Sequence, residues 1–235
     1  MTHILEHLMF RKMALVAITA STLMPDSAAA QSLSDVPTVY HLSGGIGSDI
    51  ATMSAAASRS IYVGTSDRFR AGFNLRATLA VPDGLEMKPF DQAGFGASNE
   101  TLLVSGSALL MNLGLNASIG LTGRVNVGMN IDLFGFATGP RKAASYHETP
   151  TASAVELAAR PIGSNIFAGG SGDRGSLNSE FFLEYTLNDR YALRGGMSHQ
   201  LLAYQVAVDE DILNAAKFRR YSNLLFVGVT MTRPQ

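Results

Sequence analysis

The stretch Phe69–Val81, FRAGFNLRATLAV, alternates along its whole length. Its odd positions are Phe69, Ala71, Phe73, Leu75, Ala77, Leu79 and Val81, and its even positions are Arg70, Gly72, Asn74, Arg76, Thr78 and Ala80. Successive side chains of a strand point to opposite faces, so a period of two this long specifies a β-strand with one apolar and one polar face. Leu103–Ile119 repeats the pattern, with Leu109, Met111, Leu113, Leu115 and Ala117 opposite Asn112, Gly114, Asn116 and Ser118. After Leu121-Thr122-Gly123 it resumes with Val125, Val127, Met129, Ile131 and Leu133 against Arg124, Asn126, Gly128, Asn130 and Asp132. Two such runs joined by a few residues ending in glycine make a β-hairpin.

A second hairpin has Phe181, Leu183 and Tyr185 before the turn Leu187-Asn188-Asp189-Arg190 and Tyr191, Leu193, Gly195 and Met197 after it. A last strand covers about Arg219 to Thr232. Upstream of Phe69, Val39–Gly47 and Ser58–Thr65 are expected to add two strands, joined to Phe69 by Ser66-Asp67-Arg68, for a total of eight. The connections at Thr65–Arg68, Leu121–Gly123 and Leu187–Arg190 are short and share one end. At the other end Ser48–Ala57, Pro82–Glu100, Thr138–Ser176 and Val208–Phe218 read as long loops, with a short helix expected at Ala152–Arg160. Short turns on one side and long loops on the other are the pattern of an outer-membrane barrel, with its short turns in the periplasm.

The rest of the 235-residue chain agrees with export. Residues 1–30 carry Arg11 and Lys12, an apolar run from Met13, Pro25, and Ala28-Ala29-Ala30, which together read as a cleaved signal peptide. Residues 31–235 then form one domain. A net charge of -1 argues against a nucleic-acid partner, and the absence of cysteine excludes disulfides and thiolate chemistry.

The competing architecture is a soluble periplasmic β protein, whose polar face would meet water. Three features favour a transmembrane barrel. The runs reach the 9–11 residues that cross a bilayer at a tilt. The polar face is rich in Gly, Asn and Ser, and its charges are mixed: Arg70, Arg76, Arg124 and Arg194 against Asp132, Glu180 and Glu184. In an eight-stranded barrel such charges fill the lumen and must pair. Phe69, Tyr185 and Tyr191 lie on apolar faces beside the short turns, where an aromatic girdle belongs.

The run Asn178–Met197 with Asn223–Met231 resembles small outer-membrane β-barrel proteins of the OmpA/OmpX type. That resemblance implies an all-β, antiparallel up-and-down transmembrane β-barrel of eight strands in a Gram-negative outer membrane, surrounded by outer-membrane lipid. It also implies insertion by the outer-membrane assembly machinery.

No catalytic constellation is visible. Ser198 and His199 are adjacent, so on a strand they point apart and cannot form a nucleophile–base pair. Asp209-Glu210-Asp211 and Gly172-Asp173 read as solvated acidic loops rather than calcium sites. The expectation is therefore a non-enzymatic barrel without metal or cofactor, with a side-chain-filled lumen and long extracellular loops in a structural or surface-interaction role. The alternatives are a narrow porin-like channel, a lipid-modifying enzyme and a soluble periplasmic β protein.

Overall fold

The computed structural model describes residues 36–64, 68–90, 99–149, 151–166, 177–206 and 217–232. The expected signal peptide, the two acidic loops and most of the first short turn lie outside these residues. The described chain is all-β: β1 Val39–Ile46, β2 Ile50–Tyr62, β3 Phe69–Pro82, β4 Leu85–Pro89, β5 Thr101–Val104, β6 Ala108–Gly120, β7 Val125–Thr138, β8 Lys142–His147, β9 Val155–Pro161, β10 Ser164–Ile166, β11 Leu177–Thr186, β12 Tyr191–Val206 and β13 Lys217–Thr232.

The long strands pair antiparallel in a cycle. It runs β1–β2–β3–β6–β7–β11–β12–β13 and returns to β1 through Val39 opposite Thr232 and Ile46 opposite Leu225. A closed cycle leaves no strand edge unpaired, which satisfies backbone groups without water.

Side-chain polarity across this ring is inverted relative to a water-soluble protein. Leu42, Ile46, Phe73, Leu113, Phe136, Leu183, Leu225 and Val227 face outward and are exposed, Ile46 and Val227 at 69%. Ser54, Asn74, Arg76, Asn112, Asn130, Asp132, Glu180, Arg194 and Thr230 face inward and are buried. In β7 the alternation slips at Leu133, where Leu113 faces Phe134 but the next residue, Gly114, faces Asp132. The bulge changes parity, so Asp132 points in below it while Phe134 and Phe136 point out above it.

The short turns close on their own side chains. Asn188 Oδ1 accepts from the backbone N–H groups of Arg190 and Tyr191 at 2.9 and 3.0 Å, and Thr122 Oγ1 accepts from those of Arg124 and Val125 at 3.2 and 3.1 Å. Asn and Thr are suited to this because their side chains mimic a backbone turn.

The long-connection end differs from the sequence expectation. Ser48–Ala57 is not a loop: β2 begins at Ile50, and the small Ala51, Ala55 and Ala57 had hidden its period. Leu103–Ile119 is not one strand, because Gly106, at φ 122°, breaks it into β5 and β6. Ala152–Arg160 is not helical; β9 occupies Val155–Pro161. The expected loops contain β4, β8, β9 and β10, and β4, β8 and β9 join β5 in a second cycle, β12–β9–β8–β5–β4–β13. β12 pairs with β11 up to Leu201 and with β9 from Tyr204, while β13 pairs with β4 at Phe218 and Arg219. The β12–β13 wall is thus shared, and the loops continue the sheet upward.

The apolar core lies inside this second cycle and the adjoining end of the ring. Leu85, Met87, Leu102, Val104, Tyr146, Tyr204 and Phe218 from the loop side pack in one cluster with Ile50, Ala80, Leu110, Leu202 and Leu224 from the upper ring. Each full burial of a Leu or Phe contributes about 1.5–3 kcal/mol. The ring is therefore polar inside at mid-height and apolar inside at the top.

Candidate functional site

Four inward side chains meet at mid-height. Arg76 Nη2 lies 2.5 Å from Asp132 Oδ1, and Arg76 Nη1 pairs with Glu180 Oε1. Glu180 Oε2 receives Arg194 Nη2 at 3.1 Å and Asn130 Nδ2 at 2.7 Å. The second oxygen of Asp132 accepts from the backbone N–H of Asn178 at 2.9 Å. The order Asp132, Arg76, Glu180, Arg194 alternates in sign and sums to zero. Burial demands that arrangement, because an unpaired ion in so dry a place is costly.

The strand order makes this cluster a crossbar. Arg76 on β3 and Asp132 on β7 are separated by β6, where Gly114, the partner of Asp132, carries no side chain; a Cβ there would lie 2.6 Å from Asn74 Oδ1 and 3.0 Å from Asp132 Cα. Glu180 stands on β11, so Arg76 links strands that are not neighbours. Beside the cluster, a void of about 20 Å³ touches His41, Ser54, Arg76, Asn130, Glu180 and Arg194, enough for one water molecule.

Arg194 is held from a second side. Its guanidinium carbon sits 3.5 Å from the ring centroid of Phe182 and 5.8 Å from that of Phe226. Phe182 fits inside because its cross-strand partners are Gly128 and Gly196, and a Cβ on Gly128 would run into its ring. Gly128→Val is accordingly expected to displace Phe182 and loosen Arg194. Overpacking of this kind costs about 1–3 kcal/mol, measurable as a lower urea midpoint of the folded band on unheated gels.

A second chain of polar contacts runs toward the short-turn end. Thr230 Oγ1 donates to Glu184 Oε2 at 2.9 Å. The His41 ring joins this contact to the cluster: its Nδ1 is 3.1 Å from Thr230 Oγ1 and 3.4 Å from Arg194 Nη1, and its Nε2 is 2.9 Å from Ser58 Oγ. Sequence reading missed His41, Ser58, Thr230 and Phe182. His41, Ser58 and Thr230 have only small or apolar residues beside them on the same face of their strands, so no charge pattern marks them, and Phe182 is an apolar residue between Glu180 and Glu184 on an otherwise polar face.

Of the seven residues expected in a lumenal network, Arg76, Asp132, Glu180 and Arg194 are brought together. Glu184, half-buried, stands apart in the Thr230 contact. Arg70 does not reach the cluster: it bonds Tyr62 Oη at 2.7 Å and lies over that ring. Arg124 is exposed at the short turn between β6 and β7. Both lie near the short-turn mouth, where solvent replaces a counter-ion. The expected girdle residues Tyr185 and Tyr191 are exposed on the outer face and Phe69 is half-buried; Met231 pairs with both Tyr191 and Tyr40, which places Tyr40 at the same level. Ser198 and His199 point apart, the first to Asn178 Oδ1 at 2.7 Å and the second to Asn223 Oδ1 at 2.7 Å.

A closed ring of antiparallel strands with apolar residues outside, ion pairs inside and tyrosines near the short turns is the side-chain arrangement that strands crossing a bilayer require. No protein-family model and no curated protein sequence matches the chain. Among solved structures it is similar to Neisserial surface protein A, with 10% identity and TM-score 0.41 over 84% of this chain and 96% of that one. It is also similar to the Yersinia pestis outer membrane protein Ail, with 8% identity and TM-score 0.38 over 85% and 100%. A major outer membrane protein from Thermus thermophilus shows 13% identity and TM-score 0.38 over 83% and 99%.

Proposed function

We propose that the cycle of eight long strands crosses the bacterial outer membrane as an up-and-down barrel, after export and removal of residues 1–30. Its short turns lie in the periplasm, and the sheet built from β4, β5, β8 and β9 stands on the outer surface. The lumen is filled, and the role is structural or one of surface contact. The observation that carries this reading is the Arg76 crossbar, which ties β3 to β7 and β11 through the middle of the ring, beneath an apolar plug.

Planar-bilayer recording tests it. The purified barrel, with insertion verified by its faster migration on unheated gels, is expected to give a silent bilayer. Stepwise conductance that scales with the number of inserted molecules would overturn the filled lumen in favour of a channel. A product that is fully soluble and does not shift on heating would remove the membrane barrel itself.

A further inference from the structure

We propose that the short-turn mouth of the ring is a docking surface for an acidic polypeptide segment in the periplasm. The proposal rests on the membrane reading above, which puts this end in the periplasm, and deepens it. Three hairpin turns end on an arginine at the same ladder position. Gly120 N–H donates to the carbonyl of Arg68 at 2.8 Å, Thr186 N–H to that of Arg124 at 2.8 Å, and Thr232 N–H to that of Arg190 at 2.9 Å. Each arginine thus extends its strand by one residue, just before Phe69 of β3, Val125 of β7 and Tyr191 of β12. In the ring order β3–β6–β7–β11–β12 these are alternate strands.

Strand alternation sorts the side chains at this rim. Phe69, Val125 and Tyr191 belong to the lipid-side face, so the arginines before them belong to the lumen-side face. Their ladder partners Gly120, Thr186 and Thr232 share that face, and a Cβ on Gly120 would meet the lumen-side Asn126 Oδ1 at 3.5 Å. Arg70 joins from one inward level deeper, its Nη2 donating to Tyr62 Oη at 2.7 Å. Arg68, Arg70, Arg124 and Arg190 are all exposed, and among the described residues none of the four forms an ion pair. Glu184, one inward level deeper than Thr186 on β11, is held by Thr230. Counting Asp67 and Asp189, which precede Arg68 and Arg190 in the sequence, four cations stand against two carboxylates, on a chain whose net charge is -1. The positive excess is local to this mouth.

The spacing of the collar suits a chain of carboxylates. Neighbouring strands lie about 4.8 Å apart, so arginines on alternate strands stand about 10 Å apart round the rim. Carboxylates three residues apart on an extended polypeptide recur at about the same interval, and each can take one guanidinium in a bidentate pair. Behind the collar the lumen-side Ser60, Asn116, Ser118 and Asn126 are half-buried and uncharged, and the Arg76 crossbar stands further in. A segment arriving from the periplasm therefore stops at the mouth. A lipid headgroup is the poorer occupant, because the lipid side of the rim carries Phe69, Val125 and Tyr191 instead of the arginines.

The test uses the full-length barrel in neutral detergent with a fluorescent peptide of repeated Glu-Gly-Ser, read by anisotropy beside its Gln-Gly-Ser analogue. The glutamate peptide should bind at least about tenfold more tightly than the glutamine one and weaken as salt rises. That preference should vanish in the triple variant Arg68→Gln, Arg124→Gln, Arg190→Gln, fall partway in each single variant, and persist in Arg141→Gln at the long-connection end. Equal binding of the two peptides, or an undiminished preference in the triple variant, would overturn the proposal. So would full displacement of the glutamate peptide by short-chain phosphatidylglycerol at equal charge, which would assign the collar to lipid headgroups. Heat-modifiable migration of each sample reports the barrel separately, so failure of peptide binding with a normal gel shift leaves the membrane reading standing.

Discussion

Arg76→Met is expected to be among the most destabilising single substitutions in the ring. It leaves Asp132 and Glu180 buried beside each other with Arg194 as their remaining cation. Arg76 and Asp132 are 2% and 1% exposed, so water cannot take over the lost role. Removing one partner of a buried ion pair costs about 3–5 kcal/mol. The chain contains no tryptophan, so the measurement is the urea dependence of the fast-migrating band on unheated gels. Arg76→Met combined with Asp132→Asn restores charge balance, leaving Glu180 with Arg194 and Asn130 as they are. The double variant is therefore expected to recover most of the loss. If the double variant is as unstable as the sum of the two singles, the cluster is not a coupled unit, and the crossbar account fails.

This cluster also shows where sequence reading succeeds and where it stops. Strand type and facing were visible in β3, β6, β7 and β12 because bulky apolar residues alternate there with polar ones. The first half of β2, before Ser58, reads as loop because Ala51, Ala55 and Ala57 stand on the outward face where Leu or Val would have marked the period. The loop-side strands β4, β8 and β9 are too short to display a period, and their pairing is set by β12 and β13, distant in sequence. The polar face named seven charged positions, but depth within the ring decides which of them pair. Arg76 and Arg194 lie far enough from the short turns to need partners, whereas Arg70 and Arg124 lie beside the mouth. Alternation gives facing; it carries no height. The bulge at Leu133, which turns Phe134 and Phe136 outward beyond the inward-pointing Asp132, is equally silent in sequence because a one-residue slip leaves composition unchanged.

Val227→Arg is the substitution that separates a lipid-facing belt from an ordinary exposed surface. Val227 is 69% exposed on the outer face and pairs with Gly44 on one side and Gly195 on the other. No bulky cross-strand side chain could shelter an arginine there. If this face met water, replacing an exposed valine by arginine would change stability within about 0.5 kcal/mol. Facing hydrocarbon, the guanidinium must instead be dehydrated or drag headgroups and water inward. The known cost for a cation on the lipid face of a barrel is about 2–4 kcal/mol near the midplane, falling to about 0–1 kcal/mol at the interface. Asn223→Arg supplies the depth control, four residues toward the long-connection end on the same face of β13. Refolding both variants into lipid vesicles under urea is expected to give a large loss for Val227→Arg and a small one for Asn223→Arg. In detergent micelles, which deform around a charge, the difference should shrink. Equal, small effects at the two positions in vesicles would mean that the apolar belt does not face hydrocarbon, and the inverted polarity of the ring would then need another covering surface.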